Sequence, residues 1–441
     1  MTLTRDEAAP RETASADDTH PALWTSRGPA LSTPWPWLAA IAVLAVMPLL
    51  FPSSAALTIL NQMAIFTVFA LSYNMLLGQG GMLSFGHAVY FGLGGFFSVH
   101  IMNYVEAYEL PLPLPLLPVL GGLFGMFFAF LVGSFQCRRA GTVFAMISLG
   151  INGLVFGLSV IIVAFFGGEE GISGDRTYGL PVFGWEFISK FEVYVLTAGW
   201  LVLSALLMYL FSRTPMGRLA NAVRDNEERA EFLGYSQRRV RWVSFTVAGF
   251  FAGVAGALSA INFERMGEND LNPILSGTVL LMTFLGGAGF FVGPIVGAIS
   301  FVLLQTVLGL YTDLWQLYVG ILFVVTVMFF PQGLTGLVAM HGTPARNRQL
   351  GSLALPYGKL LPFAVLFLLG AVAIFEMLYH LRERSGSMNL YGMTVDPSDW
   401  LPLTLAVAVT ALSAWALSRL APPVKEAWDV ASLEGPGGSP R

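Results

Sequence analysis

The feature that most constrains this chain is a succession of apolar runs, each about as long as a membrane is thick. Crossing about 30 Å of hydrocarbon at 1.5 Å per residue takes about 20 apolar residues in a helix. Runs of that order recur at about 35–52, 55–77, 85–104, 114–135, 142–166, 191–211, 242–262, 273–289, 291–311, 315–331, 360–380 and 400–420. In lipid every backbone N–H and C=O needs an internal partner, and a single run meets that need only as an α-helix. Composition agrees: of 441 residues, 55% are hydrophobic and 11% charged, with a mean hydropathy of +0.68. A soluble domain carries nearer a quarter charged residues. The fold expected is an all-α polytopic membrane protein of about ten to twelve spans.

Polar segments divide the chain. Residues 1–34 hold no apolar run and are expected to form a disordered tail, without the short apolar core of a cleavable signal peptide. Residues 339–359 read as a linker, 360–420 as two further spans, and 421–441, opening on Pro422 and Pro423, as a second disordered tail. The stretch 78–95 carries seven glycines and is compatible with a full span or with a broken, re-entrant one.

Basic residues set the orientation, because short cytoplasmic loops carry the Lys/Arg excess. Counting twelve spans from an inside N-terminus puts 18 of the 23 Lys and Arg inside, including the seven arginines from Arg213 to Arg241. Only Arg176, Lys190, Arg265, Arg382 and Arg384 fall outside, so both termini are expected in the cytoplasm. Acids are distributed differently. From Trp35 to Pro331 every Asp and Glu falls in an expected loop or at a helix edge, and Glu376 alone lies well inside an apolar run. An ion-coupled carrier needs a buried ionisable group, and the core of this chain offers none. No G-x-x-x-x-G-K-[ST] loop occurs, nor any nucleophile–base pair, so the chain is not expected to be an enzyme or to hydrolyse ATP itself. Its one cysteine, Cys137, reads as an inert thiol, and no metal site or cofactor is expected.

The longest hydrophilic stretch between spans runs from Arg213 to Gly234. Pro215 suits the first turn of a helix, and Leu219, Ala222, Val223, Ala230 and Leu233 follow at roughly helical spacing. Arg218, Arg224, Asp225 and Glu228 take the wetter faces, Arg224 and Glu227 share one face, and Gly234 serves as the stop. Two readings fit: a solvated loop whose arginines only fix topology, or an amphipathic helix on which a cytoplasmic partner docks.

Four ordered motifs carry a resemblance to a single family. The first is Gly81, Leu83, Ser84, Gly86, His87 and Ala88 within 78–95. The second is Thr214, Pro215, Gly217, Arg218, then Arg224, Asn226 and Glu227, then Gly234. The third is the glycine-rich run over 285–298, and the fourth is Phe330-Pro331-Gln332-Gly333-Leu334, with Gln332 where the family usually has Arg. Together these resemble the branched-chain amino-acid ABC permeases of the LivM type; the resemblance spans roughly 35–338 and implies a ten-helix importer permease core, to which 360–420 adds two helices without an inferred role. It further implies an inner-membrane subunit that pairs with a second, LivH-like permease and two cytoplasmic ATPases, fed by a periplasmic binding protein, with no nucleic-acid partner. Pro215, Gly217, Arg218, Arg224, Asp225, Asn226, Glu227 and Gly234 become the expected ATPase-coupling residues within 213–241. Branched-chain aliphatic amino acids are the implied substrates, with urea and short amides as alternatives.

Asn74, Ser84, His87 and Asn152 are the polar residues placed on the translocation path. His87 fits either a buried imidazole bonded to a neighbouring helix or a residue lining the path, and the embedded amides fit interhelical bonds as well as substrate contacts. In 242–262 the residues Ala248, Gly249, Ala252, Gly253, Gly256 and Ala257 form a small face that lets another backbone approach. Leu60-Asn61 and Leu271-Asn272 each open a span that closes on a glycine knot, which suggests an internal repeat.

Overall fold

The computed structural model describes residues 34–182, 184–330, 332–342, 344, 350–383 and 387–433. Apart from Pro34 the N-terminal tail lies outside the described residues. Helix α1 is Trp35–Leu50; α2, Ser54–Asn74, continues as a π-helix over Met75–Gln79. Then come α3 (Ala88–Tyr108), α4 (Leu117–Gln136), α5 (Gly141–Ile161) and a four-residue α6 (Val163–Phe166). Next are α7 (Lys190–Arg213), α8 (Pro215–Asp225), α9 (Glu227–Phe232) and α10 (Gln237–Phe263). The chain ends with α11 (Pro273–Gly286), α12 (Gly293–Tyr311), α13 (Trp315–Phe329), α14 (Gly333–Met340), α15 (Leu350–Glu383) and α16 (Trp400–Leu433). Two short antiparallel strand pairs accompany them: β1 (Ile172–Ser173) with β2 (Arg265–Met266), and β3 (Met388–Leu390) with β4 (Met393–Val395).

Each expected apolar run is a helix, but not each is a full span. Among the described residues nine helices are long and apolar enough to cross a membrane, or ten if α13 and α14, bent by 49°, count as one. α1 has 16 residues and α11 has 14, short of the roughly 20 a perpendicular crossing needs. The ambiguity over 78–95 resolves into two pieces. A knot at Gly78–Gly81 closes the preceding helix, and α3 runs unbroken for 21 residues from Ala88.

The described residues form two compact units, one reaching to Gly277 together with Ala288–Val292, the other made of Thr278–Gly287 and the chain from Gly293. In the first unit α10 is the core helix, packed along α4, α3 and α2. Its small face is filled from within the chain. A Cβ on Gly253 would sit 2.5 Å from the Gly121 carbonyl oxygen and 3.0 Å from the Cα of Gly122, both on α4. Backbones at that distance exclude side chains, which is why glycine recurs on both helices.

In the second unit α15 and α16 pack along each other around Ala373, Met377 and Ala406. Glu376 accepts a hydrogen bond from the Tyr318 hydroxyl at 2.8 Å. The third and fourth motifs meet here, with the Cα of Gly287 2.6 Å from where a Gly333 side chain would begin. Two expected boundaries move. α15 starts at Leu350, inside the linker, and α16 continues through Pro422 and Pro423 to Leu433, inside the expected tail. Trp428 stands edge-on to His341, 5.0 Å between centroids, and gives that last stretch something to pack on. The suggested repeat does not extend to its opening residues. Asn61 lies within α2 and donates to Asn262 at 2.9 Å, whereas Asn272 precedes α11 and accepts from the Ile274 N–H.

Candidate functional site

The loop between α7 and α10 is folded, not solvated chain. Thr214, extended at ψ 161°, caps α8 by accepting from the Gly217 N–H at 3.2 Å, and Pro215 occupies the first turn. Gly217, Ala220 and Val223 face inward, and Ala220 and Val223 form a small core with Ala230 and Val240, flanked by Met216 and Leu219. Arg218 and Asp225 stay exposed.

A single continuous helix does not form. Asn226 takes φ −158° and ψ 104°, ends α8 and caps α9 by accepting from the Arg229 N–H at 2.8 Å. The break changes the phase of everything after it. Leu233, expected on the buried face, is exposed, and Arg224 and Glu227, on either side of the break, do not share a face; Ala222, expected buried, is exposed within α8 itself. Arg224 turns inward: its Nη1 donates to the Gly78 carbonyl, while Nε and Nη2 donate to Asp225 Oδ1 at 2.9 and 2.7 Å. Glu227 instead pairs with the buried Arg241 of α10.

The loop closes as the sequence suggests. Gly234, at φ +88°, follows α9; its N–H donates to Glu231 and the Tyr235 N–H to Ala230, at 2.8 and 3.1 Å. These are the two bonds of a Schellman motif. The motif leaves Phe232 90% and Leu233 71% exposed, an apolar pair of which the sequence reading names only Leu233, and on the buried face. The signal was present, since two large apolar residues stand directly before a helix-stopping glycine.

A second constellation surrounds the start of α3, where the structure gathers three of the four path residues. Ser84 and His87 flank the non-helical turn after the glycine knot, and none of Asn74, Ser84, His87 and Asn152 is more than 3% exposed. His87 Nε2 lies 2.9 Å from the Ser72 hydroxyl, and its ring stacks on Phe69 at 5.4 Å. Tyr73 donates to the Ser84 carbonyl at 3.0 Å, and Ser148 of α5 accepts from the Phe85 N–H at 2.9 Å. Asn152 donates to the Leu271 carbonyl at 2.6 Å and accepts from Ser276, whose hydroxyl in turn accepts from the Ala88 N–H. Asn74 lies apart from these, below the knot, its Oδ1 buried without a hydrogen-bond partner. All four are built into the helix packing.

Two further groups follow from burial. Arg176, 6% exposed, donates to the Phe187, Ile188 and Ile261 carbonyls and pairs with Glu264 at 3.3 Å. It fastens the loop before α7 to the end of α10. Burial also pushes the Cys137 thiol up to about 12, against the pull of Arg241 and Arg238, which keeps it protonated and unreactive.

Comparison with known proteins identifies the family. The family model described as "Branched-chain amino acid transport system / permease component" matches residues 55–329. The high-affinity branched-chain amino acid permease protein LivM of Escherichia coli is 27% identical over 319 residues, 68% of this chain and 74% of that one. A probable LivM of Methanocaldococcus jannaschii is 23% identical over 325 residues, 63% of this chain and 92% of its own length. The autoinducer 2 import permease LsrC of Klebsiella pneumoniae is 37% identical over 120 residues, 26% of this chain and 35% of that one. No solved structure matches.

Proposed function

Starting from the fact that the chain belongs to the branched-chain amino-acid transport permease family, we propose that it is the transmembrane subunit of an ATP-driven importer whose ATPases act on residues 213–241. In this reading it sits in a bacterial inner membrane with both termini cytoplasmic. It pairs with a second, LivH-like permease, binds two ATPase subunits and receives substrate from a periplasmic binding protein. Hydrolysis belongs to the ATPases.

The observation that carries the reading is the folded loop itself, which holds Phe232 and Leu233 out at the end of a locked helix. Large apolar side chains held rigidly in water are what a partner's cleft covers, and aromatic anchors of this kind dominate interface energies. Pro215, Gly217, Asn226 and Gly234 shape the surface; Arg218 and Asp225 are its exposed charges, and Arg224 and Glu227 brace it from behind. Asn74, Ser84, His87 and Asn152 belong to the wall of the path, where they fix the start of α3 and the end of α2.

Branched-chain aliphatic amino acids are the substrate class favoured by the names of the LivM relatives. Urea and short amides remain the alternative, and the segment shared with an autoinducer 2 permease marks how far solutes diverge on this scaffold. An ion-coupled carrier is a weaker reading. Among the described residues from 55 to 329, the acids of the long apolar helices are Glu106 and Glu192, each in a terminal turn. The test is leucine uptake into proteoliposomes containing all subunits, at held ATP, with proton and sodium gradients collapsed. Uptake is expected to persist; uptake lost with the gradients assigns the chain to the carriers.

A further inference from the structure

The loop reaches the path wall where Arg224 of α8 meets the glycine knot that ends α2. The side chain crosses between them and is only 15% exposed. Its aliphatic stem lies on Gly81, which takes φ +62°; a Cβ there would stand 2.7 Å from the Arg224 Cγ. Both the left-handed backbone and the missing side chain are therefore needed for the arginine to pass. At its tip Nη1 donates to the Gly78 carbonyl, and on its other edge Nε and Nη2 hold Asp225. The guanidinium is planar and bonded on two sides, so it transmits a displacement instead of absorbing it in a flexible tether.

What it grips is a π-helix, a turn with one residue more than the α-helical register allows, a rare form found frequently at functional sites. The N–H groups of Gly80, Gly81 and Met82 turn back to Leu77 and Leu76, which leaves the chain free to leave the helix axis at Gly80. Seven residues on is His87, and between them Ser84 and Phe85 are tied to α2 and α5. Beside Gly78 lies Asn74 Oδ1, the buried acceptor without a partner. The knot is thus a short lever, held at one end by the 213–241 loop and at the other by the path residues.

We propose that Arg224 is the positioning residue through which movement of α8 and α9 reaches the lever from Met75 to His87, and so Ser84 and His87. This rests on the reading of 213–241 as the ATPase surface. Arg224 serves transmission, and the exposed Phe232 and Leu233 serve attachment.

The two roles separate experimentally in the reconstituted complex with its ATPases and binding protein. Arg224→Met keeps the stem on Gly81 and removes the guanidinium. The ATPases are expected to co-purify as with the unaltered chain, while substrate imported per ATP hydrolysed falls about tenfold, the size expected for losing a charge-assisted bond. Arg224→Lys, which restores a single charged donor, is expected to recover part of the ratio. Gly81→Ala displaces the arginine without altering the loop and is expected to uncouple in the same way, which guards against a misfolded Arg224 variant. An unchanged import-to-hydrolysis ratio in Arg224→Met or Gly81→Ala overturns the proposal. So does loss of the ATPases from Arg224→Met, which would make the residue part of the attachment surface. Failure of the underlying reading looks different: ATPases that stay bound when Phe232 and Leu233 are both replaced by Asp.

Discussion

Glu227, the first residue of α9, accepts a hydrogen bond from the guanidinium of Arg241 near the start of α10, and the pair ties the start of α9 to α10. Arg241 is buried while Glu227 is half exposed, so the bond is worth less than a fully desolvated pair but more than a surface one. Glu227→Gln should loosen the loop by about 1–2 kcal/mol. Hydrogen exchange of the 227–241 amides should then quicken roughly five- to thirty-fold. Unchanged protection would mean that the apolar cluster around Val223 holds the loop alone.

Phe232 makes the opposite case. It has almost nothing to lose within the chain, so Phe232→Ser should shift stability by no more than about 0.5 kcal/mol. An interface anchor typically carries 2 kcal/mol or more, so ATPase retained on the purified permease should drop about thirtyfold or further. Normal retention would move the docking surface away from α9.

Arg176 is the buried charge of the loop before α7. Replacing it with Met strips the donor from three carbonyls and leaves Glu264 without its partner. We expect a cost of about 3–5 kcal/mol, concentrated in that loop. Protease added to the periplasmic side should then cut within 167–189, where the unaltered chain resists. Equal resistance would show that the β1–β2 pairing is sufficient.

Asp270 gives a pH dependence. Burial pushes its carboxyl up to about 6, outweighing the opposite pull of the Gly267 N–H and of Arg265. A folded-state value above the unfolded one, 3.8, means that the folded protein prefers the protonated form. The associated stability is complete below the unfolded value and is lost as pH rises through about 6. Lowering pH from 7.5 to 5 should therefore raise the thermal midpoint of the unaltered chain relative to Asp270→Asn, which keeps the cap but does not titrate. Parallel curves for the two proteins would remove Asp270 from the account.

Truncation before Leu350 tests the added helices. They lie beyond the matched segment 55–329, and such a cut leaves α15 whole on the discarded side, whereas one near Gly358 would split it. ATP-dependent uptake should survive, with Tyr318 losing its bond to Glu376 as the local cost. Loss of uptake with normal insertion would bring Glu376 into the transport cycle.

Apolar run length made the helices legible in the sequence, because lipid leaves the backbone no other choice. Thr214 with Pro215 marked the start of α8, and Gly234 marked the stop after α9, through local bonds that depend on neighbours in the chain. The break at Asn226 was also written locally, as a capping amide followed by Glu227 and Glu228, but the helical spacing from Leu219 to Leu233 masked it. Uninterrupted helical spacing puts Leu233 on the buried face and gives Phe232 no role. Arg176 and the grip of Arg224 on Gly78 were beyond reach for a different reason. Each makes a bond to a residue 85 or more away in sequence, Ile261 for Arg176 and Gly78 for Arg224, and both acceptors are backbone carbonyls, which no residue type marks.

The Schellman closure of α9 bears on how fast and how firmly a partner is held. A loop that had to order itself on contact would surrender backbone and rotamer entropy at the moment of association. Here the turn at Gly234, the cap at Asn226 and the bridge to Arg241 have fixed that geometry during folding. Encounter should thus be limited by diffusion and orientation, and differences between variants should show in residence time more than in the rate of capture.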